Sequence, residues 1–223
     1  MKTPQKLGCW LIFLSGLLLL SLQAEDNDFQ TWQWYTIPVY EVGNFRIQGF
    51  FETRWSDDSS HFKLALMSPQ FDYKIDPYTR VGLNYTYIQS DPFGSNSSDQ
   101  QRFEPQVSNN FPLTKELTLV ARNRMEFRWI KGNENMDTRI RSRIGLEYKL
   151  EGLGPLTSIY ANDEIFYDIT EGSFNENRAI PLGLEFTLSK HVIFDLFNMI
   201  QSVEQPKGWQ QNIILGTSVR FKF

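Results

Sequence analysis

Along most of the chain apolar and polar residues alternate one by one, the period of a strand whose two faces meet different surroundings. Over 44–55, Phe45, Ile47, Phe51 and Trp55 point one way and Arg46, Gln48, Glu52 and Arg54 the other. Over 78–89, Val81, Leu83, Tyr85 and Tyr87 oppose Arg80, Asn84 and Thr86. Over 116–130, Leu117, Leu119, Met125, Phe127 and Trp129 oppose Thr118, Arg122, Arg124, Glu126 and Arg128. Residues 138–150 set Ile140, Ile144, Leu146, Tyr148 and Leu150 against Arg139, Arg141, Arg143, Glu147 and Lys149. Ile180, Leu182, Leu184, Phe186 and Leu188 then alternate with Ala179, Gly183, Glu185 and Thr187. In the last segment Ile213, Leu215, Val219, Phe221 and Phe223 face away from Asn212, Gly216, Ser218, Arg220 and Lys222. Weaker strands fit near 60–74, 101–111, 156–167 and 191–203, with Pro69 and Pro105 marking bulges or irregular edges in two of them.

These segments match or exceed the roughly 9–11 residues that a tilted strand needs to cross a bilayer. Short turns (76–77, 112–115, 152–155, 189–190) take turns with longer polar loops at 56–59, 90–100, 131–137, 168–177 and 204–208. That stringing is typical of outer-membrane barrels, and it predicts an all-β, antiparallel, up-and-down transmembrane barrel over 44–223. The expected count is about ten strands, with both termini on the periplasmic side. Residues 25–43, rich in Trp32, Trp34, Tyr35 and Tyr40, read as a lead-in or partial strand. With the long loops outside, Trp55, Tyr87, Trp129 and Trp209 fall at one end of their strands. Phe186, Phe221 and Phe223 fall at the other end, so the aromatics form two girdles.

The rows of like charge decide which face points inward. Buried without partners in a small soluble barrel, the arginines could not be tolerated. Facing lipid, each would cost about 2–4 kcal/mol near the midplane. In a wet lumen they can be hydrated or paired. The expected lumenal network is Glu52, Arg54, Arg122, Arg124, Glu126, Arg128, Arg139, Arg141, Arg143, Glu147, Glu164, Arg178 and Glu185.

The ends of the chain add an address. Lys2 and Lys6, the apolar run Leu7 to Leu22, and Ala24 before acidic residues read as a secretory signal peptide over 1–24. Its removal takes two of the 22 basic residues, leaving 20 against 26 acidic and a net charge of −6. That balance offers no basic footprint for nucleic acid. The only cysteine, Cys9, leaves with the leader, so disulfides and thiol chemistry are not expected. The terminal strand ending at Phe223 looks like the signal read by the outer-membrane barrel assembly machinery. The expected location is therefore the outer membrane of a Gram-negative bacterium, as a monomer in contact with outer-membrane lipid.

Activity is less legible. No metal-ligand spacing or phosphate-binding glycine loop is present, and no cofactor is expected. His61 lies beside Asp57, Asp58, Ser59 and Ser60 at an expected outer rim, where a lipid hydrolase or acyltransferase could use Ser–His–acid chemistry. An incidental histidine in a polar loop is the plainer account. The arginine rows can line a narrow path favouring anions. The favoured reading is that they close the lumen by pairing with the glutamates, since about eight strands give a filled interior and about sixteen an open one, and ten lie nearer the closed end.

Several short pieces resemble an uncharacterised outer-membrane family, domain of unknown function family 2490. They are Asp28-Phe29-Gln30-Thr31-Trp32, Glu52-Thr53-Arg54, Asn123-Arg124-Met125-Glu126-Phe127-Arg128, Arg139-Ile140-Arg141-Ser142-Arg143, Asn162-Asp163-Glu164 and Asn177-Arg178. The resemblance implies an outer-membrane barrel and brings no activity, substrate or catalytic residues. It also places 29–40 inside the domain, which keeps twelve strands open.

Overall fold

The structure, a computed structural model, describes residues 28–94 and 97–223. The expected signal peptide lies outside the described residues. Eleven strands follow one another in chain order: β1 (Asp28–Val42), β2 (Phe45–Ser56), β3 (His61–Lys74), β4 (Thr79–Ser90), β5 (Ser98–Pro112), β6 (Leu117–Ile130), β7 (Asp137–Lys149), β8 (Leu156–Asp168), β9 (Ser173–Ser189), β10 (Val192–Gln205) and β11 (Gly208–Phe221). Each pairs antiparallel with the next, and β1 closes the barrel against β11.

The expected lead-in is a full strand of 15 residues, so the barrel begins at Asp28 rather than at 44. An odd number of up-and-down strands leaves the first and last running the same way. The β1–β11 seam is accordingly parallel, from Asp28 opposite Asn212 to Thr36 opposite Arg220. β1 therefore starts at the rim formed by the turns after β2, β4, β6, β8 and β10 (the upper rim). β11 ends at the opposite, lower rim, so the expected placement of both ends on one side does not hold for the strands. The inward face of β1 carries Trp32 and Trp34, which blurs the polar–apolar alternation of that segment.

The polarity is that of a membrane barrel. Phe51, Met67, Tyr73, Tyr85, Trp129, Ile144 and Leu146 are exposed on the outer wall, while Glu52, Glu104, Glu126, Arg139, Arg141 and Glu164 are buried within. A water-soluble fold buries the opposite set.

Three local features depart from the sequence reading. Pro69 and Pro105 produce no register shift, since the pairing to both neighbours keeps one register across each. Among the register shifts, one falls at Pro181, where β9 carries one extra residue against both β8 and β10. Proline has no N–H to lose from the ladder, so a bulge suits it. The extra residue flips the phase and turns Ile180 inward, not outward with Leu182 and Leu184. The strands also run further than expected. The connection after β8 shrinks to 169–172 and that after β10 to 206–207, so loop length barely distinguishes the rims.

Glycines let two rings lie flat on the inner wall. A Cβ on Gly216 would fall within the ring of Phe197, and one on Gly183 within the ring of Tyr160. At the lower rim Asp76 accepts the N–H groups of Tyr78 and Thr79 at 2.7 and 2.9 Å, and the Tyr78 bond leads in holding its carboxyl below the usual range.

Candidate functional site

At mid-height the polar faces of β2 and β5 to β9 converge inside the barrel. Because side chains alternate, residues two apart on one strand both point inward, and neighbouring strands bring theirs level. Glu126 on β6 is the hub, with no exposed surface. It accepts Arg141 and Arg139 at 2.7 Å each and Arg102 at 3.4 Å. Arg141 continues to Glu164 at 3.0 Å, and Glu164 also receives Arg122 at 2.7 Å. Arg139 reaches Glu176 at 3.2 Å, and Glu176 in turn holds Arg178 at 2.6 Å and Gln201 at 2.5 Å. Around this chain stand three further pairs: Arg124 with Glu104 at 3.2 Å, Arg54 with Glu52 at 2.6 Å, and Arg128 with Asp168.

Aromatic rings lie against several of these paired guanidinium groups. Phe166, fully buried, has Arg139, Arg141 and Arg178 over it at 4.6–4.7 Å. Trp32 has Arg54 at 3.7 Å and Arg178 at 5.0 Å. A desolvated cation over a ring face gains about 2 kcal/mol, so these platforms offset part of the cost of burying the charged groups. On the other side of the lumen Trp32, Ile180, Phe197, Met199 and Ile214 pack as an apolar cluster, joined by Trp34 and Tyr160. The middle of the barrel is thus filled, by charge on one wall and by rings on the other.

Most of the charge expected in the lumen is there. Glu52, Arg54, Arg122, Arg124, Glu126, Arg128, Arg139, Arg141, Glu164 and Arg178 meet in or beside one network. Glu185 stands apart, pairing with Arg220 near the lower rim, where Arg220 also holds Asp195 at 3.0 Å. Glu147 also lies near that end, and among the described residues it forms no ion pair. Arg143 is brought to the network but is bound by none of its carboxylates. Sequence reading missed Arg102, Glu104, Asp168 and Glu176. Arg102 and Glu104 sit on β5, whose alternation is weak around Pro105; Asp168 and Glu176 lie in what reads as a loop. Trp32 and Phe166 were missed because an inward aromatic breaks the polar pattern.

Above the network a cleft of about 570 Å³ opens to the upper rim, floored by Arg139 and Glu176 and walled by Ser173, Asn175 and Glu204. The girdle residues occupy both ends of the outer wall. Trp55, Tyr87, Trp129 and Trp209 lie toward the upper rim, Phe186 and Phe221 toward the lower, and Phe223 just past β11. His61 is also at the upper rim, with Nε2 2.9 Å from Asp91 Oδ1. Among the described residues no serine hydroxyl is hydrogen-bonded to it, and Ser60 Oγ donates to the Asp57 carbonyl instead. Among the described residues the histidine–acid pair has no serine hydroxyl bonded to it that could serve as the nucleophile of acyl transfer. Three successive residues before it, Asp57, Asp58 and Ser59, take left-handed φ values of 52° to 62°.

The fold resembles solved barrels at low identity. The NanC porin aligns with a TM-score of 0.50 and 12% identity over 88% of this chain and 99% of that one. A bacterial polysaccharide outer membrane secretin aligns at 0.47 and 7% identity, over 79% and 74%. An anion-selective porin from Comamonas acidovorans aligns at 0.41 and 12%, over 84% and 55%. No curated protein sequence matches. The model of a protein of unknown function, DUF2490, matches residues 29–212, nearly the whole barrel, and the chain belongs to that family.

Proposed function

We propose that the protein is an outer-membrane barrel that binds small anions and whose lumen is held closed at mid-height. A signal peptide over 1–24 would deliver it, and the strand ending at Phe223 would engage the barrel assembly machinery. The observation that supports closure is the hub: Glu126 is fully buried in the middle of the lumen and tied to three arginines from two other strands. Charge supports the choice of anion. Nine arginines at this level (54, 102, 122, 124, 128, 139, 141, 143 and 178) face six carboxylates (52, 104, 126, 164, 168 and 176), leaving three positive charges in excess. In a low-dielectric passage such an excess concentrates anions and repels cations.

Planar-bilayer recording of the mature protein tests this, with a heat-shifted gel band showing first that it has folded. The wild type is expected to show no sustained open level. Glu126→Ala, which unties three arginines, is expected to produce discrete anion-preferring steps. A steady open level in the wild type, or cation preference in the variant, would overturn the proposal.

A further inference from the structure

Arg143 is the odd member of the lumen. It sits in the middle of β7, directly across from Arg122 on one side and Glu164 on the other. Glu164 is its natural partner by register. Both oxygens of Glu164 are taken, one by Arg122 and the other by Arg141. Among the described residues no carboxylate oxygen lies within 4.0 Å of the Arg143 guanidinium. The side chain is half-buried on the lumenal face of β7. Its neighbour Arg122 spends one nitrogen on Glu164, while its Nε is buried and has no partner. Like charges directly opposite on a ladder repel, and here two guanidinium groups face each other over a single shared carboxylate.

We infer that Arg143 and the unpartnered edge of Arg122 form a binding site for a small oxyanion, a carboxylate or a phosphate, entered from the lower rim. A planar guanidinium offers paired N–H donors that match two oxygens of such a group. The ligand supplies the negative charge the site lacks and relieves the opposition of the two arginines. The Nε of Arg122 is also buried without a partner, a condition it shares with Arg46, Arg102, Arg128 and Arg141, so the mark peculiar to this place is the Arg143 guanidinium left without a carboxylate. The site lies below the Glu126 hub, so occupation does not require the lumen to open. It rests on the anion-binding barrel proposed above, but not on its conductance.

The test uses the full mature protein folded in detergent micelles and titrated calorimetrically. The probes are inorganic phosphate and citrate, each against chloride at equal ionic strength so that screening is matched. The wild type is expected to bind at least one of the two oxyanions above the chloride background; phosphate binding without citrate binding, or the reverse, identifies the class. Arg143→Gln is expected to weaken binding by at least about tenfold, and Arg143→Lys to keep part of it. Lys149→Gln, which removes an exposed cation from the same strand, is expected to change affinity less than about twofold. The thermal midpoint without ligand gives an independent readout. Relieving the repulsion should leave Arg143→Gln at least as stable as the wild type, whereas a structural role would lower its midpoint. No oxyanion binding by the wild type, equal weakening in Lys149→Gln, or a destabilised Arg143→Gln that binds normally would each overturn the inference. Because binding is read in micelles, a conducting wild type would overturn the closed lumen and leave this site standing.

Discussion

Single side chains fill this lumen because the wall beneath them has been cleared. Gly216 is the sharpest case, since any Cβ there meets the ring of Phe197, which also stacks on Trp34 at a centroid distance of 4.6 Å. Gly216→Ala is expected to displace that ring and cost about 1–3 kcal/mol of stability, read by urea unfolding in detergent. Adding Phe197→Leu should recover part of the loss, because the two changes share one space. Equal stabilities for the wild type and the alanine variant would show that the ring does not depend on the glycine. The hub behaves differently. Removing the Glu126 carboxylate leaves three buried arginines short of charge, and breaking a buried pair by deleting one partner costs about 3–5 kcal/mol. Glu126→Ala should therefore unfold at distinctly lower urea, and Glu126→Gln, which keeps the volume, should fall between.

Among the elements, β1 carries the most specific claim. It closes the barrel through a parallel ladder of nine residue pairs, from Asp28–Asn212 to Thr36–Arg220. Its inward Trp32 and Trp34 fasten it to the interior by packing as well as by the ladder. On the outer face Thr31 stands level with Leu215. The expected mature chain contains no cysteine, so Thr31→Cys with Leu215→Cys is a clean probe. An intramolecular disulfide is expected in the folded double variant, seen as a shifted band without reductant, and in neither single variant. Failure to cross-link under oxidant would mean that β1 does not complete the wall. Strand β9 makes the complementary point. Its bulge at Pro181 moves Arg178 and Glu176 into phase with Arg139, while Gly183 and Glu185 stay inward beyond it.

For the molecule as a whole, orientation in the membrane is the open variable that matters most to an anion site entered from one rim. With the upper rim outward, an epitope inserted between Asn133 and Glu134 should be reached by antibody on intact cells. One inserted between Leu153 and Gly154 should be reached only after the outer membrane is permeabilised. The opposite pattern would invert the barrel and put the Arg143 site within reach of the medium. The strands, at 12 to 17 residues, are long enough to span the bilayer.

The amino-acid sequence by itself determined the barrel class and the sign of its polarity. A period of two, sustained over segments as long as β6 and β7, admits only strands. Rows such as Arg122, Arg124 and Arg128 leave no place for their face except a lumen. These follow from local spacing and from the cost of burying charge, and both can be read from the order of residues. The strand count, the parallel seam and the turning of Ile180 were decided only by the tertiary structure. Each depends on how a strand meets its neighbours, and one extra residue at Pro181 reverses the faces of a segment without altering its composition. The same holds for the network. Sequence brings Glu164 and Arg143 to the same face, but whether they bond depends on which arginines the folded wall places against the two carboxylate oxygens. Folding gave both oxygens to Arg122 and Arg141, and left Arg143 without a partner.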